Sequence, residues 1–140
     1  MEQYTCTSSK VVRGELKLVW PNLKNIWLTD KEYGVMSVGR LAQLLNETQA
    51  DRLPYIKKKG ECEEFSLILH SAIKQKNIFD DKSKLTWAFG ECIGRKFVGF
   101  KGVHSANVCL TKEGVYLIEP QTDAYWKADP VSDDIFFIKM

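Results

Sequence analysis

The sequence predicts an α+β domain, with helices in its first half and an antiparallel sheet in its second. Two observations lead there. Through the residues up to about 76, the longest apolar patterns repeat at helical spacing; beyond Asp80–Lys84, apolar residues fall in short runs rich in β-branched and aromatic side chains. The chain has 140 residues, 44% hydrophobic and 27% charged, enough to bury a core without cross-links. A single domain spanning 1–140 is therefore the expected organisation.

Each element has a local reason. "VVRGELKLVW" (11–20) reads as a short strand closed by Pro21, and "NIWLTD" (25–30) as another. "SVGRLAQLLNETQADRL" (37–53) reads as a helix, with Ser37 as N-cap and Val38, Leu41, Leu44 and Leu45 at helical spacing. Pro54 ends it. After a turn at Gly60, a second helix runs from Cys62 to about residue 75, with Phe65, Ile68, Leu69, Ala72 and Ile73 on one face. Glu61, Glu63 and Glu64 lie at the dipole's positive end, and Lys74 and Lys76 near its negative end. "LTWAFGECI", "KFVGFKG", "VHSANVCL", "GVYLIEPQ" and "DIFFIKM" then read as strands separated by turn residues.

Composition narrows the function classes. Twenty basic and 18 acidic residues leave a net charge of +2, which gives no electrostatic case for nucleic acid or a membrane surface. Lys57, Lys58 and Lys59 read as a solvated loop. Cys6, Cys62, Cys92 and Cys109 include no C-x-x-C pair, and two histidines are too few to complete a zinc site. "MEQYTCTSSK" has no apolar h-region, so a cytoplasmic location with reduced thiols is expected. No apolar run approaches the ~20 residues of a membrane-spanning helix.

The stretch 102–123, "GVHSANVCLTKEGVYLIEPQTD", carries the candidate chemistry. On a strand, His104 shares a face with Ala106, Val108 and Leu110, while Ser105, Asn107 and Cys109 take the other. On the next strand Val115, Leu117, Glu119 and Gln121 share a face. If 111–114 forms the loop, Leu110 pairs with Val115, His104 lies opposite Gln121, and Glu119 is its diagonal neighbour. Opposite residues stand about 5 Å apart and diagonal ones about 7–8 Å, both within reach. A bulge would bring Glu119 directly opposite.

Cys62 adds a nucleophile. A thiol at a helix N-terminus has its thiolate favoured by the dipole, and its backbone N–H is free to face an oxyanion. An imidazole can take the thiol proton while a third polar group fixes its tautomer. His70 cannot be that base, because it lies about 12 Å further along the same helix.

"GECEEFSLILHSAI", "GVHSANVCL" and "VYLIEPQTD" together resemble the papain-like cysteine peptidase pattern, most narrowly the papain-like domain that follows the lectin module in some mushroom agglutinins. The resemblance covers roughly residues 55–125. It implies a papain-like fold, with the nucleophile helix packed on a C-terminal antiparallel sheet. It implies a hydrolase of peptide or amide bonds in a peptide or protein substrate, with Cys62 as nucleophile, His104 as base and Glu119 as orienting group; Gln121 is the substitute. It also implies calcium, for which Asp123, Asp129, Asp133 and Asp134 are available without forming a recognisable loop motif. No glutamine stands clearly before the Cys to complete an oxyanion hole, and Gln49 is not assignable to it.

Other readings stay open at this level. A cell-wall amidase or endopeptidase of the phage-lysin type would use the same Cys and His. A catalytically inactive module used for binding would use neither, and three glutamates around Cys62 favour it by disfavouring a thiolate. Cys62 alone reads as a small buried hydrophobe, His104 as a satisfied core histidine and Glu119 as a strand-end residue. The oligomeric state is not legible.

Overall fold

The structure, a computed structural model, describes residues 5–48, 50–57, 61–80 and 84–140. Gln49, Lys58, Lys59 and Gly60 lie outside the described residues.

The first helix is α1, Ser9–Val19, where the sequence suggested a strand. Alternation within "GELKLV" imitates a two-residue period, but the i, i+4, i+8 row of Val12, Leu16 and Trp20 is the one that is buried, while Val11 and Leu18 face out. Ser8 caps the helix by accepting from the Val11 N–H at 3.2 Å. The second helix, α2, Val38–Glu47, is capped by Ser37, which accepts from the Arg40 N–H at 3.1 Å. It stops earlier than expected, and a 3₁₀ turn at Ala50–Arg52 follows. The third, α3, Cys62–Asp80, begins where predicted and runs about a turn longer.

Nine strands surround these helices among the described residues. β1 (Thr5–Ser8), β3 (Glu32–Val35) and β4 (Thr86–Trp87) form a small sheet in the order β1-β3-β4. β2 (Asn25–Trp27), β5 (Phe89–Phe97), β6 (Phe100–Thr111), β7 (Gly114–Glu119), β8 (Ala124–Lys127) and β9 (Asp134–Lys139) form the main sheet in the order β2-β9-β5-β6-β7-β8. Both sheets are mixed: β2 runs parallel to β9, and β3 parallel to β4.

This corrects the predicted class. The chain is mostly β with two mixed sheets, not a helix-rich half packed on an antiparallel half. The first half itself contributes three strands, and the last residues of the chain pair with both β2 and β5. Short strands paired across more than 100 residues leave no local signature that period counting can find. Gly90 allows the chain end to approach closely: a Cβ there would lie 1.9 Å from the Lys139 carbonyl oxygen.

The main sheet is covered on both faces. One apolar cluster joins α1 to Ala106, Val108, Leu110, Val115 and Leu117. The other joins α2 and α3 to Phe89, Cys109 and Ile118. Two buried polar side chains tie these layers together. Asn107 Nδ2 donates to the Ser66 carbonyl of α3 at 2.9 Å and to the Gly90 carbonyl of β5 at 3.0 Å. Fully buried Asp133 accepts from the Val98 N–H at 3.0 Å, the Asp129 N–H at 3.0 Å and the Trp126 indole at 3.3 Å. The Trp20 indole donates to its carbonyl oxygen at 2.9 Å.

A buried carboxylate that satisfies three donors is costly to remove, because the donors stay buried. Asp133→Ala is expected to lower stability by about 3 kcal/mol in urea unfolding. A loss below about 1 kcal/mol would show that water replaces the carboxylate.

Candidate functional site

The β6–β7 hairpin forms in the simplest register, with Leu110 opposite Val115 and Thr111 opposite Gly114. The paired residues end at Asn107 and Ile118, β7 ends at Glu119, and Gln121 lies in the turn that follows, so it does not pair with His104. No bulge is needed: the Glu119 side chain crosses to β6, and His104 Nε2 meets Glu119 Oε2 at 2.5 Å. Gln121 enters through its backbone, its N–H donating to Glu119 Oε1 at 3.1 Å. Both oxygens of Glu119 are therefore held.

Two rings complete the surroundings of His104. The Phe97 centroid lies 5.4 Å from the imidazole, edge to face, and that of Phe100 lies 4.7 Å away, tilted. Phe97 and Phe100 are a facing pair on either side of the Val98–Gly99 turn, and Gly99 takes φ 75° there. The sequence reading missed both, although "KFVGFKG" contains the turn signal that pairs them. Phe97 is buried, while Phe100 is 46% exposed.

Cys62 makes no hydrogen bond to this pair among the described residues, although its thiol reaches Ser105, the residue next to His104. The β6 pleat sends Ser105, Asn107 and Cys109 toward α3, as the Asn107–Ser66 bond and the packing of Cys109 show. His104 points to the other face, among the residues that pack with Phe97 and Val108. Among the described residues no hydrogen bond joins Cys62 and His104; the thiol instead donates to Glu63 Oε2 at 3.4 Å. Burial pushes the Cys62 thiol pKa up, hydrogen bonding with Ser105 opposes this, and the Glu63 carboxylate adds to the rise. This reverses the expectation of a dipole-activated thiolate.

The calcium expectation meets mixed geometry. Asp133 spends its oxygens on the donors described above, and Asp129 Oδ1 accepts from the Val131 N–H at 2.8 Å. Asp134 lines a separate cavity. Asp123, at φ 61° in the turn after β7, faces Asp51 instead. In that pair each carboxylate has one buried oxygen, Oδ1, without a hydrogen-bond partner. Burial, then the charge of Asp51 and a hydrogen bond to it, raise the Asp123 carboxyl to about 6, against a smaller opposing effect of Arg52. Of the four aspartates named from sequence, only Asp123 presents an uncommitted buried oxygen suited to a hard cation.

The fold is similar to that of a mushroom lectin. A solved PSL1a–E64 complex matches with a TM-score of 0.78 and 17% identity, over 96% of this chain and 50% of that chain. Polyporus squamosus lectin bound to the human-type influenza-binding epitope Neu5Acα2-6Galβ1-4GlcNAc matches with a TM-score of 0.79 and 18% identity, over 96% of this chain and 49% of that chain. The chain thus spans about half the length of the lectin chains it matches. No family model matches it, and no curated protein matches its sequence significantly.

These matches support the mushroom-agglutinin link at the level of fold and correct the enzyme expectation. One of the matching structures is a lectin by name, and burial raises the pKa of the Cys62 thiol, which lies beside the Glu63 carboxylate. The expectation of a cysteine peptidase or cell-wall amidase with a Cys62–His104–Glu119 triad is not carried forward.

Two measurements follow from these environments. At neutral pH, exposed Cys6 should alkylate before Cys62, with buried Cys92 and Cys109 protected until unfolding; peptide mapping after brief iodoacetamide treatment reads the order, and Cys62 reacting first would contradict it. For Asp123, the pKa in the folded chain is raised above its ordinary 3.8, so the protonated pair stabilises the fold at low pH and that contribution is lost as pH rises through about 6. Asp123→Asn should therefore flatten the fall in melting temperature between pH 5 and pH 7.5, readings taken on either side of that value. An unchanged pH profile would show that Asp51 and Asp123 do not share a proton.

Proposed function

We propose that the chain is a binding module that recognises a glycan through the His104–Glu119 pair and the exposed ring of Phe100. The observation that carries this reading is the pair itself: a largely buried imidazole held by a carboxylate at 2.5 Å, next to an aromatic face open to solvent. A sugar presents hydroxyl groups at its rim and C–H bonds on its faces. A fixed donor–acceptor pair suits the first, and an aromatic ring suits the second. Few convergent polar groups beside apolar surface are the usual composition of a small-molecule site. The similarity of fold to Polyporus squamosus lectin supports the ligand class.

Calcium enters this reading as a structural ion. Asp51 and Asp123 would hold it, each through its unpartnered oxygen, in place of the shared proton. Calcium takes about six to eight oxygens, so carbonyls and water would supply the rest. Its contribution would be to fix the turn that follows Glu119.

Titration with Neu5Acα2-6Galβ1-4GlcNAc and its unsialylated disaccharide tests the site. Saturable binding is expected to at least one of them, with Phe100→Ala and Glu119→Gln each weakening it about tenfold or more. Binding unaltered by either substitution, or no binding to a broad glycan array, would remove the reading.

A further inference from the structure

A cavity of about 330 Å³ opens between the turn that follows α1 and the neighbouring strands β5 and β9. Trp20, Lys24, Asn25, Arg95, Asp134 and Phe136 are among its lining residues, and none of the His104 site residues is.

Its construction centres on a defect in the sheet. Pairing of β5 with β6 jumps between Gly94 and Lys96, and pairing with β9 is irregular over the same residues. Arg95 is left paired with neither neighbour. An extra residue of this kind bends the strand and re-aims its side chain. Gly94 makes the bend possible, because a Cβ there would lie 2.7 Å from the Asp134 carbonyl oxygen and 2.8 Å from Ile135 Cδ1. The Arg95 guanidinium lies 4.4 Å from the centroid of the Phe136 ring. This cation–π contact holds the guanidinium over the ring and leaves its N–H donors able to reach a ligand. Among the described residues, neither Arg95 nor Lys24 forms an ion pair, although Asp134 lines the same cavity.

We propose that this cavity binds a small hydroxylated monocarboxylate of the sugar-acid class. The planar guanidinium fork of Arg95, held over Phe136, matches a carboxylate through two parallel hydrogen bonds. Lys24 adds a second cation. Asp134 supplies an acceptor for ligand hydroxyls and reduces the local charge of the three groups to +1, which suits a monoanion rather than a phosphate dianion. The Asn25 amide can serve a hydroxyl of either polarity. The volume lies at the small end of ligand sites and suits one sugar-sized unit.

The test uses glucuronate as probe, with glucose and inorganic phosphate as comparators, followed through the indole N–H resonances. Trp20 is the reporter, since it lines the cavity and its N–H is held by the Asp133 carbonyl. Glucuronate should shift the Trp20 signal saturably and bind more tightly than either comparator. Arg95→Gln should weaken binding about tenfold or more, and Arg95→Lys should not restore it, because an ammonium lacks the fork. Glu119→Gln should leave glucuronate binding unchanged, which separates this site from the glycan site proposed above. Absence of a saturable shift, equal binding of glucose or phosphate, retained affinity in Arg95→Gln, or loss in Glu119→Gln would each overturn the proposal.

Discussion

Strand β6 is buried on both faces from His104 to Thr111, and the rest of the structure is arranged around that constraint. A strand with water on one side can keep its polar residues there. This one cannot, so each polar side chain must find a partner inside the layer it faces. Asn107 finds α3 and β5, and His104 finds Glu119. The pleat decides which layer each residue enters. Even-numbered residues meet the α1 side and odd-numbered ones the α3 side.

That alternation also explains which part of the site was legible. The hairpin register followed from loop length and parity alone, and it placed Glu119 within reach of His104, where it is found. The same parity bears on how Cys62 meets the sheet. Cys109 stood on the strand face opposite His104, and the face of Cys109 is the one that α3 covers. A helix that packs on Cys109 brings its first residue, Cys62, to Ser105. The sequence pattern shows order and spacing along the chain, but not which sheet face a helix will choose.

Other features were hidden for different reasons. The α1 segment carries both a two-residue and a helical pattern, and burial of Val12, Leu16 and Trp20 decides for the helix. The parallel pairing of β2 with β9 depends on residues at opposite ends of the chain. Asp51 and Asp123 meet only because the turn after β7 returns to the 3₁₀ segment; their repulsion becomes visible when burial removes the water that would screen it. The unpaired Arg95 is a consequence of two strand registers failing to match at once, which no single strand encodes.

The central claim is that the His104–Glu119 pair is a ligand-binding group and not merely a satisfied buried pair. The chain contains a natural control, since its other histidine, His70, is paired with Glu91 at 2.8 Å on the α3 side of the sheet. Imidazole nitrogen spectra recorded during titration with Neu5Acα2-6Galβ1-4GlcNAc compare the two directly. The account predicts a saturable shift of the His104 ring signals with those of His70 unmoved. His104 signals that stay fixed while the glycan is in excess, or that move only in step with those of His70, would contradict it.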